Sequence, residues 1–212
     1  MTELAESTRL EAFSDGVFAI ALTLLVLDLH APSGGTKSFA EALADEWPVY
    51  LAYVAAFLNI AAIWVHHHEV FQRVRNVDVR LLCLNLFLLL VASLFPWPAS
   101  VISAAVRHGA HADLVTACLL YAGVGLSVPV AWIPMYRYLA ASPQLLNSPG
   151  DVTYMSAGAR RALVSIAGYP LAGALALVEP MAAVVVYALI PVFFLVTLLL
   201  PKAARSEQPA ER

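Results

Sequence analysis

The stretch from Arg9 to Leu29, RLEAFSDGVFAIALTLLVLDL, sets side chains that could handle ions into a lipid-like run. Arg9, Glu11, Ser14 and Asp15 open it, Asp28 closes it, and between Val17 and Leu27 only Thr23 is polar. A carboxylate inside a membrane segment is costly unless paired or wetted, so Asp15 is expected to face protein partners. On a helix, Phe13, Gly16, Ile20, Thr23, Leu24 and Leu27 fall along one stripe by i+3 and i+4 steps, and Asp28 borders its far end one turn beyond Leu24. Such a stripe is either an ordinary packing face or the wall of a pore. Thr23 could equally bond its own helix backbone. Asp28 is either a helix-end charge at the interface or a carboxylate that attracts cations at an outer mouth.

Other candidate chemistry is weaker. In His66-His67-His68-Glu69, successive helical positions point about 100° apart and cannot converge on one ion. Only His66 with Glu69, or His67 with Phe71, share a face, so no metal site is expected and His67 reads as a packed, hydrogen-bonded histidine. Cys83 and Cys118 lie in apolar runs without metal-ligand spacing and read as small buried side chains, not as a disulfide. There is no G-x-S-x-G stretch and no paired Asp, and Ser93 and Ser165 lack a partner histidine at membrane depth. An enzyme is not expected.

These residues must be positioned by membrane helices. Of 212 residues, 61% are hydrophobic and 13% charged, with a mean hydropathy of +0.77, too little charge to cover a soluble domain of this size. Apolar runs of the ~20 residues that a bilayer requires define an all-α integral membrane protein with six spans. They lie at about Leu10–Leu29, Pro48–Val70, Val79–Val101, Leu114–Leu139, Ala162–Val178 and Met181–Leu200. Pro96, Pro98, Pro129, Pro134 and Pro170 are expected to kink their helices. Arg73, Arg75, Arg80, Arg137, Arg160, Arg161, Lys202, Arg205 and Arg212 fall in alternate loops and the C-terminal tail, which places both termini in the cytoplasm. The acidic leader MTELAES is unlike a secretory signal, so the first apolar segment is expected to stay in the mature protein. SFAEALADEW, with Phe39, Leu43 and Trp47 at helical spacing, reads as a short helix on the outer surface. ASPQLLNSPGDVTYMSAGARR, rich in Ser, Pro and Gly, reads as a flexible inside connection. Residues 1–201 form one six-helix domain without internal duplication, and 202–212 a polar cytoplasmic tail.

The opening segment resembles the R-x-x-x-F-S-D first-helix signature of the transmembrane-protein-175 potassium channels, in Arg9, Phe13, Ser14 and Asp15. Trp64, His67 and Phe71 resemble the family's W-x-x-H-x-x-x-F pattern, and Asn85 and FPWP in span three are similar too. The resemblance implies a homotetramer in a bilayer, the cell membrane, whose first helices line a central pore that passes potassium without a T-V-G-Y-G filter. Matching along the motif places the constriction at Ile20, Leu24 and Leu27, with Thr23 as the polar pore residue. It also implies that Arg9, Ser14 and Asp15 act as structural support, through contacts with His67 and Asn85. No cofactor and no nucleic-acid partner are expected. The rival reading is a secondary transporter of a cation or small solute, which ordinarily shows the paired repeats that this chain lacks.

Overall fold

The structure, a computed structural model, describes residues 5–32 and 38–199. Helix α1 (Thr8–Leu24) runs on into a 3₁₀ turn over Leu25–Asp28. After it come α2 (Phe39–Asp45), α3 (Trp47–Phe71), α4 (Val79–Ser93), α5 (Pro96–His108) and α6 (His111–Ala140), then α7 (Pro149–Ser165), α8 (Gly168–Ala176) and α9 (Pro180–Leu199). Among the described residues, four helical stretches are long and apolar enough to cross a membrane: Thr8–Leu27, Trp47–Phe71, Val79–His108 and His111–Ala140. Helix α9 is a further apolar helix over Pro180–Phe193.

Local sequence accounts for the helix ends. The Asp78 carboxylate accepts from the Leu81 amide at 2.9 Å and starts α4. Ser38 and Glu41 form a reciprocal capping box on α2. The hydrogen bonds from the Ser38 amide and hydroxyl hold the Glu41 carboxyl below its usual range. Phe39 and Trp47 beside it are exposed. The prolines act differently from one another. Pro96 stands at the first position of α5, where its missing amide proton is no loss, so span three is two helices joined at Leu94–Phe95. Pro129 and Pro134, by contrast, lie inside a continuous α6.

Two sequence expectations need correction in the second half. The connection expected to be flexible is mostly helix α7. Its start is set by Pro149 at the first turn and by the Asp151 carboxylate, which accepts from the Ser148 amide at 3.0 Å and hydroxyl at 2.8 Å. The expected fifth span, Ala162–Val178, is not one helix. It comprises the end of α7, a break at Ile166–Ala167 and the nine-residue α8. Both pack along α6 in the opposite direction. The missing side chain at Gly158 admits the Tyr136 ring and that at Gly125 the Tyr169 ring, where a Cβ would lie 2.3 and 2.2 Å from the ring carbons. Cys83 also departs from expectation, being exposed on α4, while Cys118 is buried; both are free thiols.

The two ends of the bundle are distinct. At one end β1 (Ala5–Glu6) pairs antiparallel with β2 (Asn76–Val77) in the α3–α4 turn. That turn is bridged in its turn to the α6–α7 connection through Val74 and Leu146. The N-terminal segment and these two loops therefore share a side. At the opposite end Arg107 of α5 reaches Glu46, just before α3, at 2.7 Å.

Candidate functional site

Helix α1 has two unlike faces. Leu10, Ser14, Phe18 and, in the 3₁₀ turn, Leu25 are buried against α3 and α4. Ser14 is fully buried, and its hydroxyl donates to the Leu10 carbonyl at 2.8 Å, bonding within its own helix. Its oxygen accepts from Asn85 Nδ2 of α4 at 2.9 Å. The Asn85 Oδ1 accepts from His67 Nε2 of α3 at 2.8 Å, which puts the His67 ring proton on Nε2. His67 stacks on Phe71 at 4.2 Å and meets the edge of Phe18 at 5.4 Å. One hydrogen-bonded chain thus joins three helices with each polar group partnered, as a nonpolar interior requires.

The rest of the expected polar cluster is arranged otherwise. Asp15 reaches neither His67 nor Asn85; its Oδ1 accepts from the Trp64 indole of α3 at 2.9 Å on the exposed side of the contact. Arg9 is exposed and stands outside the cluster. The three histidines diverge. His66 meets Tyr136 and Trp132 of α6, His67 enters the chain above, and His68 stacks on Trp64. Among the described residues no group of three His, Cys, Asp or Glu side chains could hold a metal.

Opposite the buried face, Phe13, Ile20, Leu24 and Leu27 are 51%, 59%, 55% and 65% exposed, together with Gly16 and Thr23. Large apolar side chains this open mark a surface that lipid or another chain covers. The Thr23 hydroxyl donates to the Ala19 and Ile20 carbonyls at 2.9 and 3.0 Å, the backbone bonding left open by the sequence. That geometry spends the proton inward and leaves the oxygen lone pairs accessible. The Asp28 side chain lies outside the described set.

A second buried polar cluster carried no expectation. Asn59 donates to the Tyr121 hydroxyl at 2.8 Å and accepts from the Tyr169 hydroxyl at 3.3 Å, while the Tyr187 hydroxyl donates to the Cys118 carbonyl at 2.9 Å. It pins α3, α6, α8 and α9 together away from α1.

Fold and site define a class: a multi-pass helical membrane protein whose first helix is tied by polar side chains on one face and left open on the other. The sequence model for the endosomal/lysosomal potassium channel TMEM175 matches residues 9–96, the region from α1 through α4. A potassium channel from Streptomyces collinus is 36% identical over 190 residues, 89% of this chain and 91% of that protein. Another, from Chamaesiphon minutus, is 34% identical over 152 residues, covering 70% of this chain and 73% of that one. The crystal structure of a lysosomal potassium-selective channel TMEM175 homologue from Chamaesiphon minutus superposes with a TM-score of 0.78 at 28% identity, over 90% of this chain and 97% of that one. The chain belongs to the TMEM175 family, a family of ion channels.

Proposed function

We propose that this protein is a potassium-permeable channel in the cell membrane, formed by four copies around an axis lined by α1, with both termini cytoplasmic. The observation that carries this reading is the open face of α1. One copy leaves Ile20, Leu24 and Leu27 without cover, although the opposite face of the same helix is tightly bonded. Relatives that match most of the chain are named potassium channels. One helix per copy can enclose a path only in a closed ring, and cyclic symmetry supplies it.

In such a ring Ile20, Leu24 and Leu27 narrow the path, and apolar walls expel water from it, which blocks ions even at a width that would pass them. Potassium sheds hydration water more readily than sodium, so a hydrophobic constriction favours it. Thr23 oxygens, their protons donated inward, can replace part of the lost hydration. Asp28 is assigned to the outer mouth, where a ring of carboxylates would concentrate cations. The polar chain of Ser14, Asn85 and His67, the Asp15–Trp64 bond, and Arg9 and Phe13 are assigned to support of the pore helix. Residues 1–201 make the channel domain and 202–212 a cytoplasmic tail. No cofactor is required for passive flow.

Reconstitution into a planar bilayer with opposed potassium and sodium tests the reading. It predicts unitary current steps with a reversal potential displaced toward that of potassium. Flux that saturates without unitary steps would instead indicate a carrier.

A further inference from the structure

The opening motif divides on α1. Ser14 is buried and accepts from Asn85, and Asp15 accepts from the Trp64 indole. Phe13 turns away from both; it is half exposed and lies outside the buried core. Any support it gives the pore helix must therefore come from beyond its own copy.

Helix geometry fixes its direction. Helix α1 is continuous from Thr8 to Leu24, with no proline inside it. At 3.6 residues per turn Phe13 lies about 20° to one side of Ile20, seven residues on, and about 20° to the other side of Leu24, eleven residues on. Whatever Ile20 and Leu24 face, Phe13 faces too. The helical rise sets it about 10 Å nearer the cytoplasmic end than Ile20. Between the two levels the open face carries Gly16, which is exposed and where an added Cβ would meet nothing within 4 Å. Val17, its neighbour in sequence, is partly buried against the core. The open face at this level is therefore little more than backbone.

We propose that Phe13 lines the ion path as a second apolar ring, the cytoplasmic lip of the pore, and that Gly16 leaves a wider level between this lip and the Ile20 ring. Four copies around the axis bring four Phe13 side chains together below Ile20. An ion entering from the cytoplasm passes the lip, meets a level where backbone and water surround it, and only then reaches the constriction. Two apolar rings in series expel water at two heights, so the lip adds to the barrier that Ile20, Leu24 and Leu27 set. The proposal rests on the channel reading, with α1 lining the axis.

The test uses the full-length channel carrying Phe13→Cys and Cys83→Ser, with the buried Cys118 retained. Unitary potassium currents are recorded before and after a cationic trimethylammonium-ethyl or an anionic sulfonatoethyl methanethiosulfonate is added on the side of the N-terminus, and mass spectrometry counts the labels. The cysteine thiolate attacks the reagent's divalent sulfur, a disulfide forms, and methanesulfinate leaves with the electron pair. A positive charge beside the path repels a passing cation, so the cationic label is expected to cut unitary current about tenfold, and the anionic label is expected to raise it or leave it unchanged. Thr153→Cys, exposed on α7, should take either label without effect on unitary current. Gly16→Leu fills the wider level from all four copies and is expected to lower unitary conductance several-fold in an intact tetramer. A labelled Phe13→Cys channel whose current ignores the sign of the label would overturn the proposal. So would a Phe13→Cys chain that fails to assemble or to react, or a Gly16→Leu chain that no longer forms tetramers, because each places this part of α1 in the seam between copies. Absence of current from the unmodified parent would sink the channel reading instead, and is scored before any reagent is added.

Discussion

Replacing Asn85 with leucine isolates the bond network that holds α1. Leucine matches asparagine in size, so little cavity is created, but two interhelical hydrogen bonds disappear: Ser14 to Asn85 at 2.9 Å and His67 to Asn85 at 2.8 Å. Ser14 keeps its bond to the Leu10 carbonyl and is left without an orphaned proton. His67, 1% exposed, retains a polar ring nitrogen with no partner in either tautomer. Interhelical bonds in membranes contribute roughly 0.6–2 kcal/mol each, and an unpaired buried donor adds about 1–3, so Asn85→Leu should destabilise by about 2–7 kcal/mol. Pairing it with His67→Phe removes the orphan while keeping an aromatic ring against Phe71 and Phe18. The double variant should regain about half of the loss, since replacing both partners of a buried bond is far milder than removing one. The assay is unfolding of detergent-solubilised protein, with each single and the double variant closing a double-mutant cycle. Strictly additive effects would refute the reasoning, because the His67 penalty would then not come from losing Asn85.

Two further variants probe other contacts. Asp15→Ala removes the acceptor of the Trp64 indole and should lower stability by about 1 kcal/mol and impair assembly, while Asp15→Asn, which keeps an acceptor, should do so less; thermal scans with size-exclusion chromatography report both. Gly158→Ala drives a Cβ to 2.3 Å from the Tyr136 ring and should cost about 1–3 kcal/mol, whereas Gly123→Ala, with nothing within 4 Å, should be neutral or stabilising by up to ~1 kcal/mol.

The parts of this fold that were legible in the sequence are those where the bilayer punishes alternatives. Ser14, His67 and Asn85 are polar in apolar surroundings, so a mutual contact could be expected from membrane energetics alone. Their detailed pairing was not legible. Asp15 takes a Trp64 indole and Arg9 stays out, because indole N–H direction depends on how two helices face each other. Helical periodicity separated the two faces of α1, yet one chain exposes more of that helix than the six-residue stripe. Ser, Pro and Gly suggest a loop where α7 lies, although Ser148-Pro149-Gly150-Asp151 is a helix start.

Single-channel recording of Ile20→Asn against the parent and Val17→Asn tests the central claim most directly. Ile20 is 59% exposed on the open face, and Val17 is partly buried against the core. Asparagine is close to isoleucine in size but wets the ring, so Ile20→Asn should conduct more than the parent and discriminate less between potassium and sodium. Val17→Asn should alter yield or stability and leave the permeation of surviving channels unchanged. If Ile20→Asn conducts like the parent while Val17→Asn changes permeation, α1 presents a different face to the ions and the assignment of Ile20, Leu24 and Leu27 is wrong.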